Sequence, residues 1–119
     1  MSDDIFVVAV DLDGIILEFD EWEGSDSFGE VRPGAAEGLK KLRELGCFVV
    51  VWTCRADIDG VEEVLDGNGL IYDTVNSNRY GPNGVGRKIY ADVYIDDRNL
   101  DPVTDWDMIV EKVEKKVKG

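Results

Sequence analysis

Residues 5–10, IFVVAV, constrain the fold of this chain more than any other stretch. The run has no polar side to turn to water. A strand with this pattern is buried on both faces, which is the habit of a parallel sheet covered by other elements. It stops abruptly at Asp11-Leu12-Asp13-Gly14. Residues 47–53, CFVVVWT, repeat the pattern and predict a second buried strand. Ile71 to Val75 and Tyr90 to Ile95 predict a third and a fourth, the last ending in Asp96-Asp97.

Helical patterns separate these strands. Pro33 opens the first helix at its initial turn, where a missing N–H costs nothing. Ala36, Leu39, Leu42 and Leu45 supply its apolar stripe, and Gly46 stops it as a C-terminal cap. A second helix is expected over 57–66, with Val61, Val64 and Leu65 inward and Gly67 and Gly69 ending it. A third covers about 103–117. Residues 15–31, with Phe19, Trp22 and Phe28 among acids and glycines, read as a flap-like excursion or short hairpin. Residues 76–87, NSNRYGPNGVGR, read as a turn-rich loop. Strands alternating with helices imply an α/β fold: one domain over 1–119, a doubly wound, Rossmann-like three-layer sandwich with a mainly parallel sheet. Sites in such sheets gather at the carboxyl ends of the strands.

The formal net charge is −13, from 26 acids against 13 bases. Such a surface repels nucleic-acid phosphates and anionic membranes, so neither partner is expected. No apolar run reaches membrane-spanning length and MSDDIFVVAV lacks a basic signal-peptide start, so a cytoplasmic location is expected. Cys47 and Cys54 flank one strand, roughly 23 Å apart at the rise of a strand. That is too far for a disulfide and consistent with a reducing compartment. The chain has no histidine. The Ser-His-Asp triad and the usual zinc sites are thereby excluded, and Cys54 has no histidine to activate it as a nucleophile.

Polar residues stand at three strand ends: Asp11 and Asp13; Thr53, then Cys54 and Arg55; Asp96 and Asp97. In a parallel sheet these ends converge, and four carboxylates would share a small volume. Like charges at that range need protons or a cation between them. An all-oxygen set suits Mg²⁺, which leaves room for water and phosphate. Lys88, just ahead of the fourth strand, adds a positive charge. Alone, Asp11 and Asp13 would read as turn residues and Lys88 as a surface lysine; their joint placement carries the reading.

The residues resemble the four motifs of the haloacid dehalogenase (HAD) superfamily. Asp11-Leu12-Asp13-Gly14 matches its first, Thr53 its second, Lys88 its third and Tyr94-Ile95-Asp96-Asp97 its fourth, in the family's order. The resemblance implies a phosphatase in which Asp11 attacks phosphorus and becomes an aspartyl phosphate. Asp13 would protonate the leaving oxygen, activate the hydrolytic water, and offer its backbone carbonyl to Mg²⁺. Thr53 and Lys88 would hold the phosphoryl group. Asp96 would complete the metal site with Asp11, and Asp97 would support it directly or through water.

Two positions depart from the pattern. Ile15 stands where many family phosphatases have Thr. Asp101 follows Asp97 at the spacing of another family variant, in which Asp97 would be the ligand. Residues 15–31 are too few for a cap domain, so the resemblance implies a capless member. Its open site would take a phosphorylated small molecule or macromolecule, or be closed by a second copy in a homo-oligomer. Arg55 is read as a phosphate contact or as the ion-pair partner of a nearby acid. Arg87 is an alternative to Lys88, and Arg79 and Tyr80 are candidates for a substrate rim. Phe19, Trp22 and Phe28 pack the excursion or gate the substrate. Competing functions are a catalytically weak binding or assembly module and a phosphoaccepting receiver domain. Motif order speaks against the receiver, which carries its acid pair on the first strand and its acceptor Asp in mid-chain.

Overall fold

The apolar runs form parallel strands. The computed structural model describes residues 5–18, 28–77, 90–98, 100 and 103–119. The described elements run β1 (Phe6–Asp11), α1 (Ala35–Glu44), β2 (Cys47–Trp52), α2 (Ile58–Gly67), β3 (Thr74–Val75), β4 (Val93–Ile95) and α3 (Trp106–Lys118). All pairings are parallel, in the order β3-β2-β1-β4. This is the α/β, Rossmann-like architecture expected. The chain winds outward from β1 to β3 and then crosses back to β4, so β1 and β4 flank the point where the winding direction reverses. Register fixes what meets there. Asp11 lies opposite Trp52, one residue before Thr53, and Val10 lies opposite Ile95, one residue before Asp96.

Alternation along the strands divides the core. Val8, Val10, Val49 and Val51 pack with residues of all three helices, including Leu39, Leu42, Val61, Leu65, Trp106, Ile109 and Val113. On the other face Val7, Ala9, Phe48 and Val50 cluster with Ala91, beside partly buried Ile5, Trp52 and Tyr94. That face carries no helix among the described residues. Ala91, at the end of the crossover from β3 to β4, packs on that face, and residues 78–89 of the crossover lie outside the described residues.

Several boundaries differ from the sequence reading. Helix α1 starts after Pro33, not at it, because Gly34 takes a left-handed φ of 85° and serves as the cap. Its buried face is Ala35, Gly38, Leu39 and Leu42; Ala36 is exposed. The face is turned because Gly38 lies against the indole of Trp106: a Cβ there would come within 2.3 Å of the ring. Gly46 ends α1 with a φ of 90°. Helix α2 ends in a Schellman motif, with Leu70 N–H donating to the Leu65 carbonyl (3.0 Å) and Gly69 N–H to that of Asp66 (3.0 Å).

Strands β3 and β4 are shorter than expected, for one shared reason. The Asp73 carboxylate accepts from Val49 N–H (2.7 Å), and the Asp92 carboxylate accepts from Val7 N–H (2.7 Å). A side chain takes the place of a strand carbonyl, so Ile71–Asp73 and Tyr90–Asp92 do not extend the ladders. No helix among the described residues is long and apolar enough to cross a membrane.

Candidate active site

Asp11, Asp96 and Asp97 meet where the winding reverses. One carboxylate oxygen from each lies within 4.8 Å of the others, and all three residues are half-buried. Burial, then the charges of Asp96 and Asp97, then a hydrogen bond with Asp97 push the Asp11 carboxyl up to about 8; the Leu12 N–H opposes them. Without a cation, this cluster keeps a proton on Asp11 at neutral pH. Three carboxylate oxygens at this spacing are the donor set of a hard divalent cation, so the residues fit Mg²⁺.

Local backbone explains how the acids approach. Gly14 has a φ of +95°, and a Cβ on it would lie 2.1 Å from Asp97 Oδ2. The glycine therefore serves both the turn and the close seat of Asp97. Arg98 N–H donates to Asp96 Oδ1 (2.8 Å). The loop after Asp11 is clamped from two sides: Arg32 Nη1 donates to the Gly14 carbonyl (2.6 Å), and Trp106 Nε1 to the Ile15 carbonyl (2.8 Å). Ile15 itself is fully buried in the core, so it serves packing.

The excursion begins and ends as two antiparallel limbs. Glu18 N–H donates to the Glu30 carbonyl (2.7 Å) and Arg32 N–H to that of Ile16 (2.8 Å). The hairpin expectation holds for these limbs; Phe19 and Trp22 lie outside the described residues.

Thr53 sits at the end of β2, mostly buried, and its hydroxyl accepts from Arg55 N–H (3.1 Å). Its proton is left to donate elsewhere. Asn76, with a left-handed φ of 57°, clamps the Thr53 backbone. Its Oδ1 accepts from Thr53 N–H (2.8 Å), and its Nδ2 donates to the Thr53 carbonyl (2.9 Å). In the sequence Asn76 reads only as the first residue of the turn-rich loop 76–87. Its signal was an Asn directly after a strand, a residue that tolerates this conformation.

Asp13 corrects the picture of four crowded carboxylates. Its side chain turns to Arg55, whose Nε and Nη2 donate to Oδ2 and Oδ1, both at 2.9 Å. Of the two readings of Arg55, the ion pair is the one found. Asp13 still lines the cleft above the strand ends, with Asp11, Thr53, Cys54, Asp96, Asp97 and Arg98. Sequence reasoning missed Arg98, although it directly follows the acid pair. Lys88, Arg87, Arg79, Tyr80 and Asp101 lie outside the described residues.

Among solved structures, a conserved protein from Bacteroides thetaiotaomicron is similar, with 32% identity over 94% of this chain and 92% of that chain and a TM-score of 0.76. A structural-genomics target from Vibrio cholerae is 21% identical over 94% of this chain and 98% of that chain, with a TM-score of 0.54, and shows the fold alone. No protein-family model and no curated protein matches the sequence.

Proposed function

The chain belongs to the family of the conserved Bacteroides thetaiotaomicron protein, and we propose that it is a Mg²⁺-dependent phosphohydrolase of the HAD type. The carrying observation is the trio Asp11, Asp96 and Asp97 within 4.8 Å at the strand ends, in the order and context of the HAD motifs. Mg²⁺ held by this trio, with the Asp13 carbonyl, would neutralise the charge that otherwise keeps a proton on Asp11 and polarise the phosphoryl oxygens.

Freed of that proton, an Asp11 oxygen attacks phosphorus, the ester P–O bond breaks, and an aspartyl phosphate forms. Asp13 takes up a proton from solvent on a lone pair that the Arg55 fork leaves open and gives it to the leaving oxygen. It then takes one from the water that hydrolyses the intermediate, releasing phosphate and restoring Asp11. The Thr53 hydroxyl, aimed by the Asn76 clamp, donates to a phosphoryl oxygen, and Lys88 offsets its charge. Such chemistry depends on placement and electrostatics, which a clamped loop supplies. The substrate is a phosphorylated small molecule or macromolecule reaching a site that no cap domain covers among the described residues, and a homo-oligomer would be one way to cover it. Two unbridged cysteines suit a cytoplasmic setting.

Phosphate release from a panel of phosphomonoesters tests the proposal. Turnover with Mg²⁺, lost with chelator and lost in Asp96→Asn, is expected. Mg²⁺ binding without turnover of any ester would instead favour a binding module.

A further inference from the structure

Arg55 and Thr53 are the buried polar side chains among the described residues, and the Arg55 side chain is only 4% exposed. The other described ion pairs leave their cations 47% and 67% exposed. A guanidinium withdrawn from water is costly unless its surroundings satisfy it. Here it forms a two-pronged pair with Asp13, and the Phe28 ring lies under it, 4.3 Å from Cζ to the ring centre. Its own N–H is tied to the Thr53 hydroxyl. Phe28 belongs to the returning limb of the excursion, next to the Glu30–Arg32 pairing with the first limb.

We infer that Arg55 is a positioning residue for Asp13, and that Phe28 couples the excursion to the acid/base by holding the Arg55 fork in place. A planar fork bonded to both carboxylate oxygens fixes the plane of the carboxylate as well as its location. Each oxygen keeps a second lone-pair direction, and Asp13 remains 17% exposed along the cleft. The fork therefore orients Asp13 without withdrawing it from the site. The role given to Asp13 rests on the phosphohydrolase reading; the pairing with Arg55 and Phe28 does not.

Steady-state kinetics of Arg55→Met, Arg55→Lys, Phe28→Leu, Asp13→Asn and the double variants Arg55→Met/Asp13→Asn and Phe28→Leu/Arg55→Met test this. A misplaced group lowers kcat by up to about 100-fold, and this loss is expected in Arg55→Met with KM little changed. The Arg55→Met/Asp13→Asn variant should be no slower than Asp13→Asn alone, because Arg55 acts through Asp13. Arg55→Lys should stay slow, since charge without the fork does not orient. Phe28→Leu should lose less, and nothing further once Arg55 is Met. Multiplying losses, a raised KM with kcat intact, or full rescue by Lys would overturn the inference.

The Arg55 Nε–H proton resonance gives a readout that needs neither turnover nor a folded Arg55 variant. It should exchange slowly in the wild type, and faster in Phe28→Leu and Asp13→Asn. Unchanged exchange in both would overturn the inference even if the protein hydrolyses esters. Slow exchange in a protein with no turnover would retire the phosphohydrolase reading alone.

Discussion

Asp11 meets conflicting demands. The proposed attack on phosphorus requires it ionised, yet its burial and its neighbours hold it protonated up to about 8. Asp11 releases its proton near 3.8 in the unfolded chain and near 8 in the folded one. Protonated Asp11 therefore contributes stability to the metal-free fold that is fully present below pH 4 and is lost progressively as pH rises through 8. In the proposed metal site Mg²⁺ would compete with this proton, so its stabilising effect should grow with pH. Thermal unfolding with and without Mg²⁺ between pH 5.5 and 8.5 checks this: the Tm shift should widen with pH and vanish in Asp11→Asn. In the absence of metal, Asp11→Asn should melt a few degrees above the wild type at pH 8. The glycines give a second contrast at the same scale. Gly14→Ala and Gly46→Ala both place a side chain at left-handed φ, but only Gly14 faces Asp97; Gly46 has open space around it. Both should lose about 1–2 kcal/mol in denaturant titrations from strain. Gly14→Ala alone should also lose its Mg²⁺ shift.

Between elements, Trp106 connects the last helix to the first loop. Its ring lies on Gly38 of α1, and its Nε1–H holds the Ile15 carbonyl. Trp106→Phe keeps much of the packing and leaves that buried carbonyl without its donor. The expected loss is about 1–3 kcal/mol, measured by denaturant unfolding, with weaker Mg²⁺ protection because the loop carries Asp13 and Gly14. This link was not legible in the sequence, where Trp106 and Gly38 are 68 positions apart and each reads as ordinary helix content. Side-chain substitutions in the ladder were also hidden. Asp73 and Asp92 look like turn residues until their carboxylates are seen bonded to Val49 and Val7. By contrast, apolar runs made β1 and β2 readable almost to the residue, because a strand buried on both faces admits few other sequences.

At the level of the whole molecule, topology turns three separated sequence features into one place. The order β3-β2-β1-β4 puts Asp11 at the reversal of winding, with Thr53 and Asp96 one residue past paired positions on either side. That convergence was legible from strand ends alone. The direction of the Asp13 side chain was not, because a buried arginine two residues past Thr53 decides it. The chain as a whole carries a formal net charge of −13, so a cation held by the trio would relieve local repulsion and lower the overall charge together. Whether Asp11 is the nucleophile is decided by acid-quenched mass spectrometry during Mg²⁺-dependent turnover of an ester. A phosphoryl group is expected on the peptide containing Asp11, released by hydroxylamine and absent together with activity in Asp11→Asn. Turnover that persists in Asp11→Asn, with no phosphoryl group on that peptide of the wild type, would contradict it.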